Sequence, residues 1–286
     1  MSVPQPESAT AAGREVVAEA RRQHQSAQRA NRRFLFTARF GIVLVALVGW
    51  ELISGTLVRP FYISSPSAVG ERLFEWIADG TLLYHGQFTV TAAVGGYLLG
   101  AVAGVLVAWP LGMLRMAYRI FEPYFLVAYS VPAVAMGPVF ILWFGIGMTP
   151  KVLIAAYFVF FIVFINTVAG FQQVPRGLLD VTSVMGASRG KQFRAVMLPS
   201  ATPFILAALR ITLPAAMIGA VTGEFISSNR GLGYITRESA SQYATDGVIA
   251  GVLSLSVIVL VMNLMLRPLR NTLRWQQDVD VSRNHA

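Results

Sequence analysis

The sequence predicts an all-α membrane protein with six transmembrane helices. Of its 286 residues, 55% are hydrophobic and only 13% are charged, and the mean hydropathy is +0.59. Soluble domains carry about 25% charged residues, so this composition is typical of a protein embedded in lipid. Four runs contain no Asp, Glu, Lys or Arg, and each reaches the ~20 residues that a helix needs to cross the hydrocarbon core. These runs are 88–114, 123–150, 152–175 and 247–266.

Two further stretches complete the six predicted spans. Residues 40–58 contain a single acidic residue, Glu51, and residues 201–226 contain Arg210 and Glu224. The apolar runs lack the alternation of a strand, so they predict helices. A row of small residues in the second span, Gly95, Gly96, Gly100 and Gly104, favours close packing against another helix. The predicted spans are 38–58, 88–113, 123–146, 151–173, 202–226 and 246–267, within a six-span domain of residues 37–275.

The distribution of charge predicts the orientation of the chain. With an even number of spans, both termini lie on one side of the membrane. The segments assigned to the cytoplasm are 1–39, 111–122, 172–210 and 267–286, and they hold 18 of the 23 basic residues. Because basic residues concentrate on the cytoplasmic side, we expect a multi-pass protein of the cell inner membrane with both termini in the cytoplasm. The net charge of +9 is explained without a nucleic-acid partner.

The two tails flank this domain. Residues 1–36 are predicted to form a cytoplasmic tail that is disordered at first and then folds into a basic helix. Its arginines favour contact with lipid headgroups over a specific docking role. Residues 276–286 are predicted to form a cytoplasmic C-terminal tail.

Composition also limits the chemistry. The chain has no cysteine, and its histidines, His24, His85 and His285, are too far apart in sequence to suggest a ligand cluster. We therefore predict no metal site, no cofactor and no catalytic residue. "GASRGKQ" (186–192) resembles a phosphate-binding loop, but Met185 and Gln192 stand where that motif needs Gly and Ser or Thr.

A short basic segment, residues 174–200, separates the fourth and fifth spans. Pro175 is suited to a helix start and Gly186 to a helix end. Between them one helix face carries Leu178, Val181, Thr182 and Met185. A second helical piece, about 188–197, aligns Phe193, Val196 and Met197 before Pro199 is expected to stop it. Two short half-apolar helices joined at a glycine favour binding in a groove of a partner protein.

The spacing of this segment resembles the signature loop of the permease subunits of ABC importers. That loop reads Glu-Ala-Ala, three residues, Gly, nine residues, Ile, one residue, Leu-Pro. Every spacing matches, although Val181 and Thr182 are bulkier than the two alanines. The resemblance implies a coupling helix that contacts an ATPase subunit. The coupling residues it implies are Asp180, Val181, Thr182, Met185, Gly186, Ala187, Phe193, Val196, Leu198 and Pro199.

Other stretches extend the resemblance to the nitrate, sulfonate and taurine permeases. They are 64–69, 131–147, 166–175, 203–221 and 223–235. The resemblance implies a type I ABC importer permease fold with a cytoplasmic coupling loop. It further implies a permease homodimer with two copies of an ATPase subunit, an extracytoplasmic binding protein, and a small anion as solute. ATP hydrolysis would take place on the partner chain.

Polar residues within the predicted spans are candidates for the transport pathway or its gating. Pathway candidates are Tyr129, Ser130, Met136 and Asn166, the first three on a span that Pro132 and Pro138 should loosen. Hydrogen bonding between helices explains Asn166 equally well. For Arg210, snorkelling or pairing with polar neighbours is favoured over contact with the solute. Resemblance implies a structural or gating role for Glu224, Gly231 and Gly233.

Two other function classes are weaker alternatives. An intramembrane enzyme would need His, Cys or paired carboxylates at catalytic spacing, whereas the spans contain only Glu51, Arg210 and Glu224 as charged residues. A stand-alone secondary carrier or channel would be expected to carry intramembrane carboxylates for ion coupling. It would also bury the loop at 174–200, whereas a permease would leave it exposed to a partner.

Overall fold

The computed structural model describes residue 35 and residues 37–265. Apart from one isolated bridge between Ser54 and Val58, the secondary structure in these residues is helical. The chain divides into two compact units, and the first ends at Ser67. Of the predicted tails, 1–36 and 276–286, all but Leu35 lie outside the described residues.

The first unit contains the first predicted span. Residues 37–53 form helix α1, and Pro60–Ile63 form α2. The chain turns at Gly55, whose φ is +88°, so the helix ends before the predicted limit at residue 58. The Glu51 carboxylate accepts hydrogen bonds from the Ser67 N–H (3.0 Å) and hydroxyl (2.7 Å), at the start of the next helix. The acidic residue of this span is therefore placed where a helix N-terminus stabilises negative charge.

Helix α3 (Pro66–Ala78) leads from the first unit into the second, whose residues up to Met265 form nine more helices. They are α4 (Thr81–Met113), α5 (Arg115–Ser130), α6 (Ala133–Phe144), α7 (Met148–Gln172), α8 (Arg176–Val184), α9 (Arg189–Gln192), α10 (Leu198–Ile226), α11 (Leu232–Ser241) and α12 (Thr245–Met265). A π-helical turn, Phe193–Met197, joins α9 to α10, so that Arg189–Ile226 is one continuous helix.

Four of these helices are long and apolar enough to cross a bilayer: α4, α7, Arg189–Ile226 and α12. They correspond to the second, fourth, fifth and sixth predicted spans. Helix α4 begins at Thr81, seven residues before the predicted start, and the described part of α12 ends at Met265. With the bent pair α5–α6, the described residues provide up to five crossings. Crossing by α1 remains a prediction.

The third predicted span, 123–146, is not a continuous helix. Helices α5 and α6 meet at 90°. The break lies at Val131 and Pro132, whose ψ angles of 123° and 120° are extended. A proline disfavours helical conformation at the residue before it, which accords with a break at Val131. Pro138, by contrast, is accommodated within α6.

Helix α7 is the centre of the bundle and packs against both α4 and α10. A Cβ at Gly100 of α4 would lie 2.5 Å from the carbonyl oxygen of Ala156. On the other side, a Cβ at Gly219 of α10 would lie 2.5 Å from the Cα of Ala155. The glycines therefore allow three helix backbones to approach closely, as the small-residue row of the second span predicts.

Candidate functional site

The loop between the fourth and fifth spans begins with helix α8, whose two ends are both defined by sequence. Pro175 stands in extended conformation immediately before the first residue of the helix. At the other end, Gly186 adopts a φ of +77°. The Gly186 N–H donates to the Ser183 carbonyl (2.9 Å), and the Ala187 N–H donates to the Thr182 carbonyl (3.0 Å). This is a Schellman motif, which requires a residue that tolerates positive φ. It fixes the turn between α8 and α9.

One face of α8 is apolar and exposed. The exposed fractions are 46% for Leu178, 57% for Val181, 90% for Val184 and 79% for Met185. These residues follow helical spacing, so they lie side by side. We call Leu178, Val181, Val184 and Met185 the α8 face. The i, i+3, i+4, i+7 pattern of the sequence predicts three of its members, and Val184 lies outside those positions.

The second helical piece of the loop is packed inward. Phe193 and Met197 are buried, in a cluster with Phe171 and Ala201. The Phe193 ring also stacks on the Trp109 indole, with 4.7 Å between centroids and 14° between planes. Phe193 is therefore covered by the chain itself, and its predicted role in coupling to the ATPase remains a prediction.

Hydrogen bonds connect the two helical pieces of the loop. The Gln192 side-chain amide donates to the Ser183 hydroxyl (2.7 Å) and to the Leu179 carbonyl (3.4 Å). Leu179 also packs against the buried cluster around Phe193. Helix α8, which carries the α8 face, is thus attached through Gln192 and Leu179 to the helix that contains Phe193.

Pro199 does not end the second piece, contrary to expectation. The helix continues through it, because the preceding turn widens to π geometry, with the Leu198 N–H bonding the Phe193 carbonyl five residues earlier. A proline ring clashes with the carbonyl four residues before it in a regular helix, and a wider turn relieves that clash.

The remaining loop residues differ in exposure. Asp180, Gly186, Leu198 and Pro199 are exposed, and Thr182, Ala187 and Val196 are half-buried.

The pathway candidates lie on three different helices. Tyr129 and Ser130 are exposed at the end of α5, where the Ser130 hydroxyl donates to the Leu126 carbonyl (2.7 Å). Met136, in α6, is half-buried. Asn166, in α7, donates to the Ile162 carbonyl (2.8 Å) of its own helix. The side chains of Ser130 and Asn166 therefore each donate a hydrogen bond to the backbone of their own helix. Contact of the pathway candidates with a solute remains a prediction.

The gating candidates Glu224, Gly231 and Gly233 come together at the far end of α10. Glu224 is completely buried. The Gly233 N–H donates to its Oε2 (2.7 Å), and the Thr89 hydroxyl lies 2.9 Å from its Oε1. A Cβ at Gly231 would overlap the carboxylate. The chain after α10 is therefore wrapped around this side chain, and we call Glu224, Thr89, Gly231 and Gly233 the Glu224 cluster.

Thr89 connects this cluster to α4. Its hydroxyl also accepts a hydrogen bond from the buried N–H of Leu232 (2.8 Å). In addition, Nδ1 of His85, one turn earlier, accepts from the Gly231 N–H (3.1 Å). Sequence reasoning missed both residues because they lie more than 130 positions before their partners. The sequence offers one indication of this contact, a polar residue (Thr89) within the uncharged run 88–114.

Two basic residues hold the segment after α10. Lys151, at the start of α7, is buried and donates to the Ser228 hydroxyl and to the Arg230 carbonyl (3.4 Å). Arg237 donates to the carbonyls of Phe225 (2.8 Å) and Ser228 (3.1 Å), where α10 leaves its last carbonyls unpaired. Arg210 lies 14 residues, about 21 Å, before Glu224 on the same helix and is therefore not part of this cluster.

Comparison with known proteins identifies the family. Residues 96–274 match the family model described as "Binding-protein-dependent transport system inner membrane component". The chain is 31% identical to the riboflavin transport system permease protein RibX of Chloroflexus aurantiacus, over 82% of this chain and 88% of that protein. It is 31% identical to the putative aliphatic sulfonates transport permease protein SsuC of Bacillus subtilis (83% and 86%). It is 30% identical to the taurine transport system permease protein TauC of Escherichia coli (85% and 91%).

Solved structures show the same fold. A chain of the MetNI methionine ABC transporter, in an inward-facing conformation, matches with a TM-score of 0.56 and 24% identity, over 66% of this chain and 95% of that one. A chain of an amino acid ABC transporter crystallised with histidines matches with a TM-score of 0.52 and 19% identity (71% and 98%). The chain therefore belongs to the inner membrane components of binding-protein-dependent transport systems, the permease subunits of ABC importers.

Proposed function

We propose that two copies of this chain form the pathway for a small solute, and that each copy binds one of two ATPase subunits through the α8 face. An extracytoplasmic binding protein delivers the solute, and both termini of the chain lie in the cytoplasm. ATP binding closes the ATPase pair and moves α8, and the pathway then opens to the outside. This chain supplies the pathway and the coupling, and its partner supplies the hydrolysis.

The exposed α8 face is the observation that carries this proposal. Four adjacent apolar side chains are exposed on a loop, next to basic residues that keep the loop out of the hydrocarbon core. Contiguous exposed apolar surface of this kind is typical of an interaction site. A helix that presents such a face to a groove is a common recognition mode. A stand-alone carrier would have no use for an apolar face held in this position.

For the solute we propose a small organic or inorganic anion such as a sulfonate, taurine or nitrate. SsuC and TauC, named for aliphatic sulfonates and taurine, support this choice. RibX and the formylaminopyrimidine transport permease protein ThiX of Halalkalibacterium halodurans, at 31% and 29% identity, are named for heterocyclic solutes. Uptake assays should therefore compare taurine and an alkyl sulfonate with riboflavin and an aminopyrimidine.

The coupling role is tested by co-purifying the chain with candidate ATPase subunits from its host. Replacing Val184 or Met185 by Asp places a charge in the centre of the docking surface. We expect at least about a tenfold loss of bound ATPase, because burying an unpaired carboxylate costs several kcal/mol. Gly70→Asp, at an exposed position of α3 outside the loop, is the control, because a Cβ there meets nothing within 4 Å.

The variants must retain the thermal stability of the wild type, as both residues are exposed. If Val184→Asp and Met185→Asp bind the ATPase as the wild type does, the α8 face is not the docking surface. If taurine and sulfonate uptake are absent while a heterocyclic solute is taken up, the proposed solute class is wrong and the coupling role stands.

A further inference from the structure

A groove lies beside the α8 loop, between α4 and the helix that follows α8. It has a volume of about 620 Å³. We call it the Trp109 groove, and its lining residues are Trp109, Met113, Ser188, Gly190, Lys191, Phe193, Arg194 and Ala195. The α8 face does not contribute to it, so the groove is a separate surface.

The groove combines an apolar wall with a basic rim. Trp109 and Phe193 stack on each other, and the Trp109 N–H is directed to the Met113 sulfur (3.2 Å). Lys191 and Arg194 are exposed and lie three residues apart on one helix, hence on the same side. The described residues that line the groove include no Asp or Glu. The rim is therefore suited to a phosphate group and the wall to hydrocarbon.

The groove also lies at the depth of a membrane interface. Trp109 follows Thr89 by 20 residues on α4, which is about 30 Å along the helix axis and equals the thickness of the hydrocarbon core. Thr89 contacts the Glu224 cluster at one end of the bundle. Trp109 therefore lies near the opposite edge of the core, where tryptophan is enriched and where basic side chains reach lipid headgroups.

We propose that the Trp109 groove binds an anionic phospholipid. Lys191 and Arg194 hold the phosphate of the headgroup, and the acyl chains extend from the groove along the exposed side of α4 at Trp109. Basic pockets at the membrane surface commonly bind such headgroups. The site needs no ATPase, so its failure and the failure of the proposed function can be distinguished.

The test uses the full chain, purified alone in detergent and analysed by native mass spectrometry. It is titrated with dioleoyl phosphatidylglycerol or with dioleoyl phosphatidylcholine. We expect tighter binding of phosphatidylglycerol. The Lys191→Ala/Arg194→Ala variant should bind it at least about tenfold more weakly, because each basic residue near an anionic lipid contributes roughly five-fold in affinity (~1 kcal/mol).

A charge-matched variant serves as the control. Arg119→Ala/Arg189→Ala removes two exposed basic residues that do not line the Trp109 groove, and it should retain the affinity of the wild type. Equal weakening by both double variants would show that net charge alone attracts the lipid and would overturn the site. Equal binding of the two lipids by the wild type would overturn it as well.

Two further measurements separate a lipid from a soluble phosphate and from a second location. Glycerol phosphate added at the lipid concentration should leave phosphatidylglycerol bound; displacement would mean that the groove takes a free phosphate. Phosphatidylglycerol with brominated acyl chains should quench tryptophan fluorescence, and the quenching should fall in Trp109→Phe. Unchanged quenching in that variant would place the lipid elsewhere.

Discussion

The backbone of Gly231 lies against the carboxylate of Glu224 so closely that a Cβ at residue 231 would overlap both carboxylate oxygens. Gly231 also has φ +117°, a conformation that residues with a side chain rarely adopt. The buried carboxylate and the glycine thus depend on each other, because the turn can approach the acid only where no side chain intervenes. This contact joins the end of α10 to the segment that leads into α11.

Gly231→Ala tests that contact. We expect a loss of about 2–5 kcal/mol in the free energy of unfolding, from overlap with Glu224 and from backbone strain. The measurement is the thermal midpoint in detergent. Gly145→Ala is the matched control, because Gly145 also has positive φ (+76°) but open space around it. An equal loss in both variants would mean that strain alone acts and that the Glu224 contact adds nothing.

Thr89→Val tests the connection between α4 and the Glu224 cluster. It removes the hydroxyl that contacts Glu224 and accepts from Leu232, and we expect a loss of about 1–3 kcal/mol, because buried polar groups are left unpaired. Hydrogen exchange of the 231–233 amides should accelerate. Thr212→Val is the control, since the hydroxyl of the buried Thr212 bonds the Ala208 and Leu209 carbonyls of its own helix. Slow exchange in Thr89→Val would contradict the proposed connection.

Gly96→Ala tests the packing of α4 on α7. A Cβ at Gly96 would overlap the Cβ of Ala155 and lie 2.8 Å from the Val152 carbonyl oxygen, so we expect a loss of about 1–3 kcal/mol from overpacking. At the neighbouring Gly95 an added Cβ meets the two Val152 methyls at 3.4 and 3.6 Å, so Gly95→Ala should be tolerated. Thermal midpoints of the two variants provide the comparison. Similar midpoints would show that the helices adjust without cost.

Phe193→Ala separates support of the loop from direct docking. Because Phe193 is buried against Trp109, we expect a loss of about 3–5 kcal/mol in stability together with weaker ATPase binding. Leu198→Ala, at a more exposed site in the same helix, should change stability far less. Loss of ATPase binding at unchanged stability would show instead that Phe193 contacts the partner itself.

Asp79 gives a pH dependence at the start of α4. Hydrogen bonds from Thr81, first from its backbone N–H (2.8 Å), hold the pKa of Asp79 below its ordinary value of 3.8. The stabilisation is therefore complete above pH 3.8 and is lost as the pH falls through the lowered pKa of the folded state. The thermal midpoints of wild type and Asp79→Ala should differ at pH 7 and converge on acidification. A constant difference would contradict this.

The spans could be predicted from sequence because lipid imposes a simple rule: a crossing helix must be long and apolar. That rule placed the α4, α7, α10 and α12 crossings, and the glycines of α4 indicated their close packing. It does not predict the 90° break at Val131, because hydropathy carries no information on the direction of the helix axis. Pro132 is the local signal, and where it predicts a loosened helix the structure has two separate helices.

The candidate loop shows a different limit. Spacing from Gly186 identified the segment, and its turn has the geometry that a glycine there predicts. The orientation of Phe193 and Met197 could not be obtained in the same way, because the partners that cover them, Phe171 and Trp109, belong to other helices. Similarly, the sequence identifies Glu224 as a charged residue within a span. Its contact with Thr89 depends on how α4 and α10 pack and therefore cannot be predicted from the sequence.

The uninterrupted helix from Arg189 to Ile226 has a mechanical consequence. Its 38 residues extend about 57 Å, so a tilt of about 5° at the loop end would displace the Glu224 end by about 5 Å if the rod stayed straight. A flexible linker in place of the π-helical turn at Phe193–Met197 would dissipate such a rotation within the loop. The continuous helix instead joins the α8 loop at one end to the Glu224 cluster at the other, with Pro203 and Pro214 inside it.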